Sequence, residues 1–100
     1  YHSGVDIGAS YGASIVAADG GTVITAGAVS GYGNCVVINH GNGITTLYGH
    51  MSSIAVSSGQ KVSKGQTIGY VGSTGNSTGP HLHWEVTVNG VRQNPLNYAR

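Results

Sequence analysis

Very little of this chain is charged. Only 7% of its 100 residues are Asp, Glu, Lys or Arg, the four Lys and Arg stand apart at positions 61, 64, 92 and 100, and the formal net charge is +1. A nucleic-acid partner calls for a basic patch or stripe, so this composition carries no footprint for one. Cysteine occurs once, which leaves Cys35 without a partner for an internal disulfide and the redox compartment undecided. No apolar run approaches the roughly 20 residues of a membrane span, and no signal peptide stands at the front. Nor does any segment carry the periodicity of a long helix. A chain of this length suits one domain, residues 1–100, burying about 65% of the unfolded surface around a single core. Because it begins abruptly at Tyr1, we expect a domain excised from a longer chain, with any targeting segment upstream.

What the sequence has in quantity is glycine, 18 residues, among many Val, Ile, Thr and Tyr. Short strands joined by tight turns follow from that mixture. The expected fold class is all-β: a compact antiparallel sandwich, barrel-sandwich-like, with an open groove and little or no helix. SIVAADGGTVITAGAV reads as a hairpin about residues 19–21. NCVVINHGNGITTLYGHM reads as a second hairpin about Asn42-Gly43, the strongest turn signal in the chain. A two-residue loop there pairs 41 with 44, 39 with 46, 37 with 48 and 35 with 50. Cys35, Val37, Asn39, Thr46, Tyr48 and His50 then share one face, and Val36, Ile38, His40, Thr45 and Leu47 the other. Residues 52–58 read as a loop or one helical turn, and KVSKGQTIGYV as two short strands about Lys64-Gly65. Residues 26–33 and 72–80 read as loops.

HLHWEVTV alternates cleanly, with His81, His83, Glu85 and Thr87 on one face and Leu82, Trp84, Val86 and Val88 turned inward. Asn89-Gly90 marks another turn, and Pro95 ends regular pairing. Two titratable rings separated by one residue on a strand are a weak sign alone, and it is together with His2 and Asp6, in a chain so poor in charge, that they point to a metal site. Asp6 follows His2 by four residues, so in an extended chain the two fall on one side. Imidazole and carboxylate both suit zinc, and a catalytic zinc takes three protein ligands plus an open position for water. His2, Asp6 and one of His81 or His83 would complete that set. His40, beside the turn and on the expected outer face, reads as a surface or turn-satisfying histidine.

HSGVD at 2–6, GH at 49–50 and GPHLHWEV at 79–86, in that order, resemble the lysostaphin or LytM-type zinc metallo-endopeptidases that hydrolyse peptidoglycan peptides. The segments GASYGASIVAADGGTV, VVINHGNGITTLYGHMS and KVSKGQTIGYVGSTGNSTGPHLH are similar to that family as well, so the resemblance spans nearly the whole chain. It implies that His2, Asp6 and His83 ligate one Zn2+ and that His50 and His81 are catalytic without being ligands, one of them the general base. The implied function is zinc-dependent hydrolysis of cross-bridge or stem peptides in bacterial peptidoglycan, by a monomer that is secreted or otherwise extracytoplasmic.

Glu85 shares the His83 face and reads equally as an acceptor for a ligand ring N–H or as a solvated edge carboxylate. Tyr48 reads as a half-buried strand residue, and Asn39 and Thr46 as structural. Three other functions compete. A biotinyl- or lipoyl-type carrier would need a flanking motif that Lys61 and Lys64 lack. A thiol hydrolase would need Cys35 in an electropositive pocket rather than an apolar strand. A catalytically silent peptidoglycan-binding or hydrolase-activating domain is opposed by the intact ligand set.

Overall fold

The computed structural model describes the backbone of residues 5–8, 10–72 and 81–93 and the side chains of 10–72 and 82–91. Among these residues every element is a strand: β1 (Val5–Gly8), β2 (Ser14–Val16), β3 (Gly21–Val29), β4 (Gly33–Gly41), β5 (Ile44–Ile54), β6 (Lys61–Val62), β7 (Thr67–Val71), β8 (His81–Val88) and β9 (Val91–Gln93). All pairings are antiparallel, as the composition led us to expect. The hydrogen-bonded path runs β1-β8-β5-β4-β3-β6, with β7 joining both β5 and β2 and with β9 on β8.

β5 organises the molecule. Its first half, Ile44 to Gly49, pairs with β8, whereas Met51 to Ile54 pairs with β7. β4 runs along its other edge. One strand thus feeds two antiparallel neighbours in succession, and the sheet curls so that one face closes on a core. Val36, Ile38, Tyr48, Met51, Ile68 and Val86 are each at most 2% exposed there. These β-branched, aromatic and flexible side chains suit a pleated surface buried on one side.

The Asn42-Gly43 turn forms as its sequence dictates. Both residues have positive φ, 53° and 77°, and Gly41 pairs with Ile44 across the loop. The register beyond it departs from expectation. Asn39 pairs with Thr45 rather than with residue 46, Val36 pairs with Tyr48, and the shift falls between Asn39 and Gly41. A bulge at His40 inserts one residue into β4. Since strand faces alternate, the one-residue slip exchanges them. Val36 and Ile38 share the core face with Thr46 and Tyr48, and Val37 and Asn39 lie opposite Leu47 and Thr45.

Other expectations also change. No hairpin forms about residues 19–21: β2 pairs with β7, and β3 pairs with β4 and β6. The chain holds to the β7 side through Ala17, whose N–H donates to Gln66 O and whose carbonyl accepts from Gly65 N. It then crosses to Gly21, which is wedged so closely that a Cβ there would meet Ile38 Cγ2 at 2.9 Å. The Gly20-Gly21 pair thus serves close packing rather than a tight turn. β5 extends to Ile54, so residues 52–54 are strand, and of the expected 26–33 loop only 30–32 form a turn. Residues 73–80, most of the expected 72–80 loop, lie outside the described residues.

Candidate active site

β8 places its side chains as the alternation predicts. Trp84 and Val86 are buried, and Leu82 and Val88 pack against the core. His83 and Glu85 occupy the opposite face. In the ladder His83 stands between Asp6 of β1 and Gly49 of β5. Directly paired residues have Cβ atoms about 4.5–5.5 Å apart, the spacing from which two ligands can converge on one ion. His81 occupies β8 opposite Gly8. His2 and the side chains of Asp6 and His81 lie outside the described residues.

His50 reaches this face by an irregularity. Regular alternation from Tyr48, in the core, and Gly49, opposite His83, would return residue 50 to the core side. Instead β5 carries an extra residue between its pairings at Tyr48 and Met51, and His50 has φ of 61°. A left-handed bulge re-aims a side chain in this way. The imidazole comes to rest with its centroid 5.8 Å from that of His83, in an edge-on arrangement at 62°. The residue is only 6% exposed. Its backbone is held on both sides: its N–H donates to Tyr32 O at 2.7 Å, and its carbonyl accepts from Gly72 N at 3.1 Å. Such a conformation costs on the order of 1–3 kcal/mol and persists where the surroundings over-determine it.

Glu85 is 4% exposed. Its Oε2 accepts the Tyr32 hydroxyl at 2.7 Å and lies 2.8 Å from His83 Nε2. A carboxylate only accepts, so Nε2 carries a proton and donates it to Glu85, and Nδ1 is the ring atom through which His83 would ligate a metal. A histidine that ligates a metal hands its other ring N–H to a carboxylate in this manner. Of the two readings open for Glu85, the buried acceptor is the one observed. Among the described residues no three His, Cys, Asp or Glu side chains group together. What is described does fit a zinc site: a carboxylate-braced imidazole registered against an aspartate position.

Tyr32 is a site residue that motif reading passed over. Its ring lies 5.5 Å from that of His83, over Gly49, where a Cβ would meet Tyr32 Cδ1 at 3.4 Å. The available signal was a large aromatic set between two glycines in a turn; Gly31 and Gly33 have φ of 83° and 66°.

The remaining candidates serve the fold. His40 Nδ1 donates to Gly20 O at 2.8 Å, and Nε2 lies 2.7 Å from Thr46 Oγ1, so it is half-buried and anchored rather than at the surface. Tyr48 is a core residue at 2% exposure whose oxygen accepts from Ala18 N at 2.9 Å and from Thr46 Oγ1 at 2.8 Å. Cys35 is fully buried, and burial together with the nearby negative charge of Glu85 pushes its thiol up to about 11. It stays protonated at neutral pH, which removes the thiolate a nucleophile would require.

Known proteins resemble the chain along nearly its whole length. The sequence model of peptidase family M23 matches residues 1–95. DD-carboxypeptidase/endopeptidase Mpg of Neisseria meningitidis is 46% identical over 98% of this chain and 23% of its own length. Murein hydrolase activator NlpD of Salmonella dublin is 41% identical over 97% of this chain and 26% of its own. The chain thus spans about a quarter of the curated relatives it matches. Among solved structures, the catalytic domain of the antimicrobial peptidase lysostaphin from Staphylococcus simulans superposes with a TM-score of 0.91 at 36% identity, covering 97% of this chain and 77% of that one. A zinc-containing peptidase from Vibrio cholerae superposes with a TM-score of 0.88 at 39% identity, covering 92% of this chain and 28% of that one. With nine antiparallel strands among its described residues and these matches along nearly its whole length, the chain belongs to peptidase family M23.

Proposed function

We propose that this chain is the catalytic domain of a zinc-dependent endopeptidase that hydrolyses peptide bonds in bacterial peptidoglycan. The observation that carries the reading is the His83 site: its ring is braced through Nε2 by buried Glu85, registered against Asp6 and faced by the His50 ring at 5.8 Å. His2, Asp6 and His83 would hold one Zn2+, with His83 ligating through Nδ1. The zinc, when bound, supplies a water acidified toward neutrality and a Lewis acid for the substrate carbonyl.

The chain's own residues do the remaining work. His50 is held rigidly by its backbone bonds and can accept a proton from the attacking water, then return it to the leaving amine. His81, two residues before the ligand His83 on the same strand, would donate to the developing oxyanion. Glu85 keeps the His83 ring from turning. The substrate class rests on the family and on the chain's likeness to a DD-carboxypeptidase/endopeptidase. That substrate also puts the working site of the domain outside the cytoplasm.

The test is mass spectrometry of products after incubation with purified peptidoglycans of different bridge chemistry, with added zinc and with EDTA. We expect peptide-bond cleavage that zinc sustains and EDTA abolishes; cleavage that survives EDTA overturns the metal-dependent reading. The likeness to a murein hydrolase activator supports a second reading, an activator without its own turnover. It predicts no product from any peptidoglycan, together with stimulation of a separate murein hydrolase.

A further inference from the structure

We propose that Tyr32 is a positioning residue of this site, its phenol fixing through Glu85 which way the His83 ring points, while its backbone carbonyl fixes His50. The inference rests on reading His83 as a metal ligand. One residue of the β3–β4 turn makes all three connections: hydroxyl to Glu85 Oε2 at 2.7 Å, ring to the His83 ring at 5.5 Å, and carbonyl to His50 N at 2.7 Å. Its own place is set by its N–H, which donates to Val29 O at 3.0 Å, and by the left-handed glycines at 31 and 33.

The logic lies in the shared oxygen. Glu85 Oε2 takes both the His83 Nε2 proton and the Tyr32 proton, so the carboxylate cannot rotate without losing one of two charge-assisted bonds in a buried setting. Pinning that oxygen pins the imidazole, and with it the direction of the Nδ1 lone pair. Tyr32 closes the arrangement by resting over Gly49, where even a Cβ would be in van der Waals contact with it. Ligand direction and the pose of His50 therefore depend on the same turn.

The experiment compares the parent protein with Tyr32→Phe, which keeps the ring and the carbonyl and removes only the hydroxyl. Zn2+ affinity is measured by chelator competition, and the His83 tautomer by ring 15N shifts of the zinc-free protein. We expect zinc affinity to fall about tenfold, within the range that loss of an outer-sphere partner produces. The ring is expected to pass from the Nε2–H tautomer alone to a mixture. Variant affinity within twofold of the parent, with the tautomer unchanged, overturns the role of Tyr32 and leaves the metal site intact. A parent that takes up no zinc overturns the reading of His83 and the Tyr32 proposal with it. If Tyr32→Phe does not fold, Glu85→Gln is measured instead; parental zinc affinity in that variant overturns the proposal equally.

Discussion

His40 and His50 lie on the two strands of one hairpin, each at a bulge, and the two bulges do opposite things. The extra residue in β4 is absorbed beside a turn, and His40 ends with both ring nitrogens engaged by the protein, on Gly20 O and Thr46 Oγ1. The extra residue in β5 is absorbed by a left-handed backbone, and His50 ends on the opposite face with its ring near His83. The ring contacts tie His40 into the fold. In His50 it is the strained backbone that is held from both sides, by Tyr32 O and Gly72 N, and under the proposed function its ring takes part in the chemistry. The same kind of irregularity thus sends one side chain toward Thr46 and the other to the face of His83.

The widest separation between the two should appear in turnover. His50→Ala is expected to lower the rate of peptidoglycan cleavage by about 10²- to 10⁴-fold, the usual contribution of a positioned acid or base. Zinc content, measured by atomic absorption, should stay parental. His40→Ala, assayed below its melting temperature, should cleave within about threefold of the parent, since its ring bonds Gly20 O and Thr46 Oγ1, away from His83. A His40 variant as inactive as the His50 variant would erase the distinction.

Stability reverses the order. His40→Ala leaves Gly20 O and buried Thr46 Oγ1 without the ring that bridges them, and an unsatisfied buried polar group costs about 1–3 kcal/mol. Thr46 in turn bonds Tyr48, whose oxygen caps Ala18 N, so the loss reaches the crossing between β2 and β3. Urea unfolding should show a drop of about 2–3 kcal/mol at unchanged m-value.

How far the sequence could anticipate this contrast depends on how local each signal is. The alternation of β8 and the Asn42-Gly43 turn are written in adjacent residues, and both formed as expected. His83 and Glu85 were legible for that reason. The bulge at His40 was not, although Gly41 next to Asn42-Gly43 gave three consecutive positions able to take positive φ. Without it the hairpin register slips by one, and every face assignment on β4 relative to β5 inverts. Pairings such as β2 with β7 join residues some fifty positions apart, where no turn chemistry advertises the partner. Tyr32 shares that difficulty, since Glu85 lies 53 residues away.

Titration separates the two faces at high pH. Burial and the charge of Glu85 raise the Cys35 thiol from 9.0 to about 11 in the folded protein, and burial likewise raises Tyr48 above its ordinary 10.0. A group raised by folding contributes its stability in full below its unfolded pKa and loses it as pH climbs through the folded value. The Cys35 contribution, roughly 3 kcal/mol by linkage, should hold to about pH 9 and vanish by about pH 11. Thiolate absorbance near 240 nm on the folded protein checks the midpoint; a midpoint near 9 would place the thiol in contact with solvent.

The smallest effect tests the strain itself. His50→Ala and His50→Gly both remove the imidazole and its contacts, and both should be inactive, so their difference isolates the backbone. At φ of 61° an alanine keeps the Cβ clash that glycine lacks. Glycine loses part of that advantage because its unfolded chain is more flexible, by about 0.5–1 kcal/mol. A net gain of roughly 0.5–1 kcal/mol for His50→Gly over His50→Ala in urea unfolding is therefore expected. Alanine equal to or more stable than glycine would mean that the bulge relaxes once the ring is gone. The left-handed turn would then be imposed by the imidazole's own contacts, not by Tyr32 O and Gly72 N, and the backbone would follow the ring instead of aiming it.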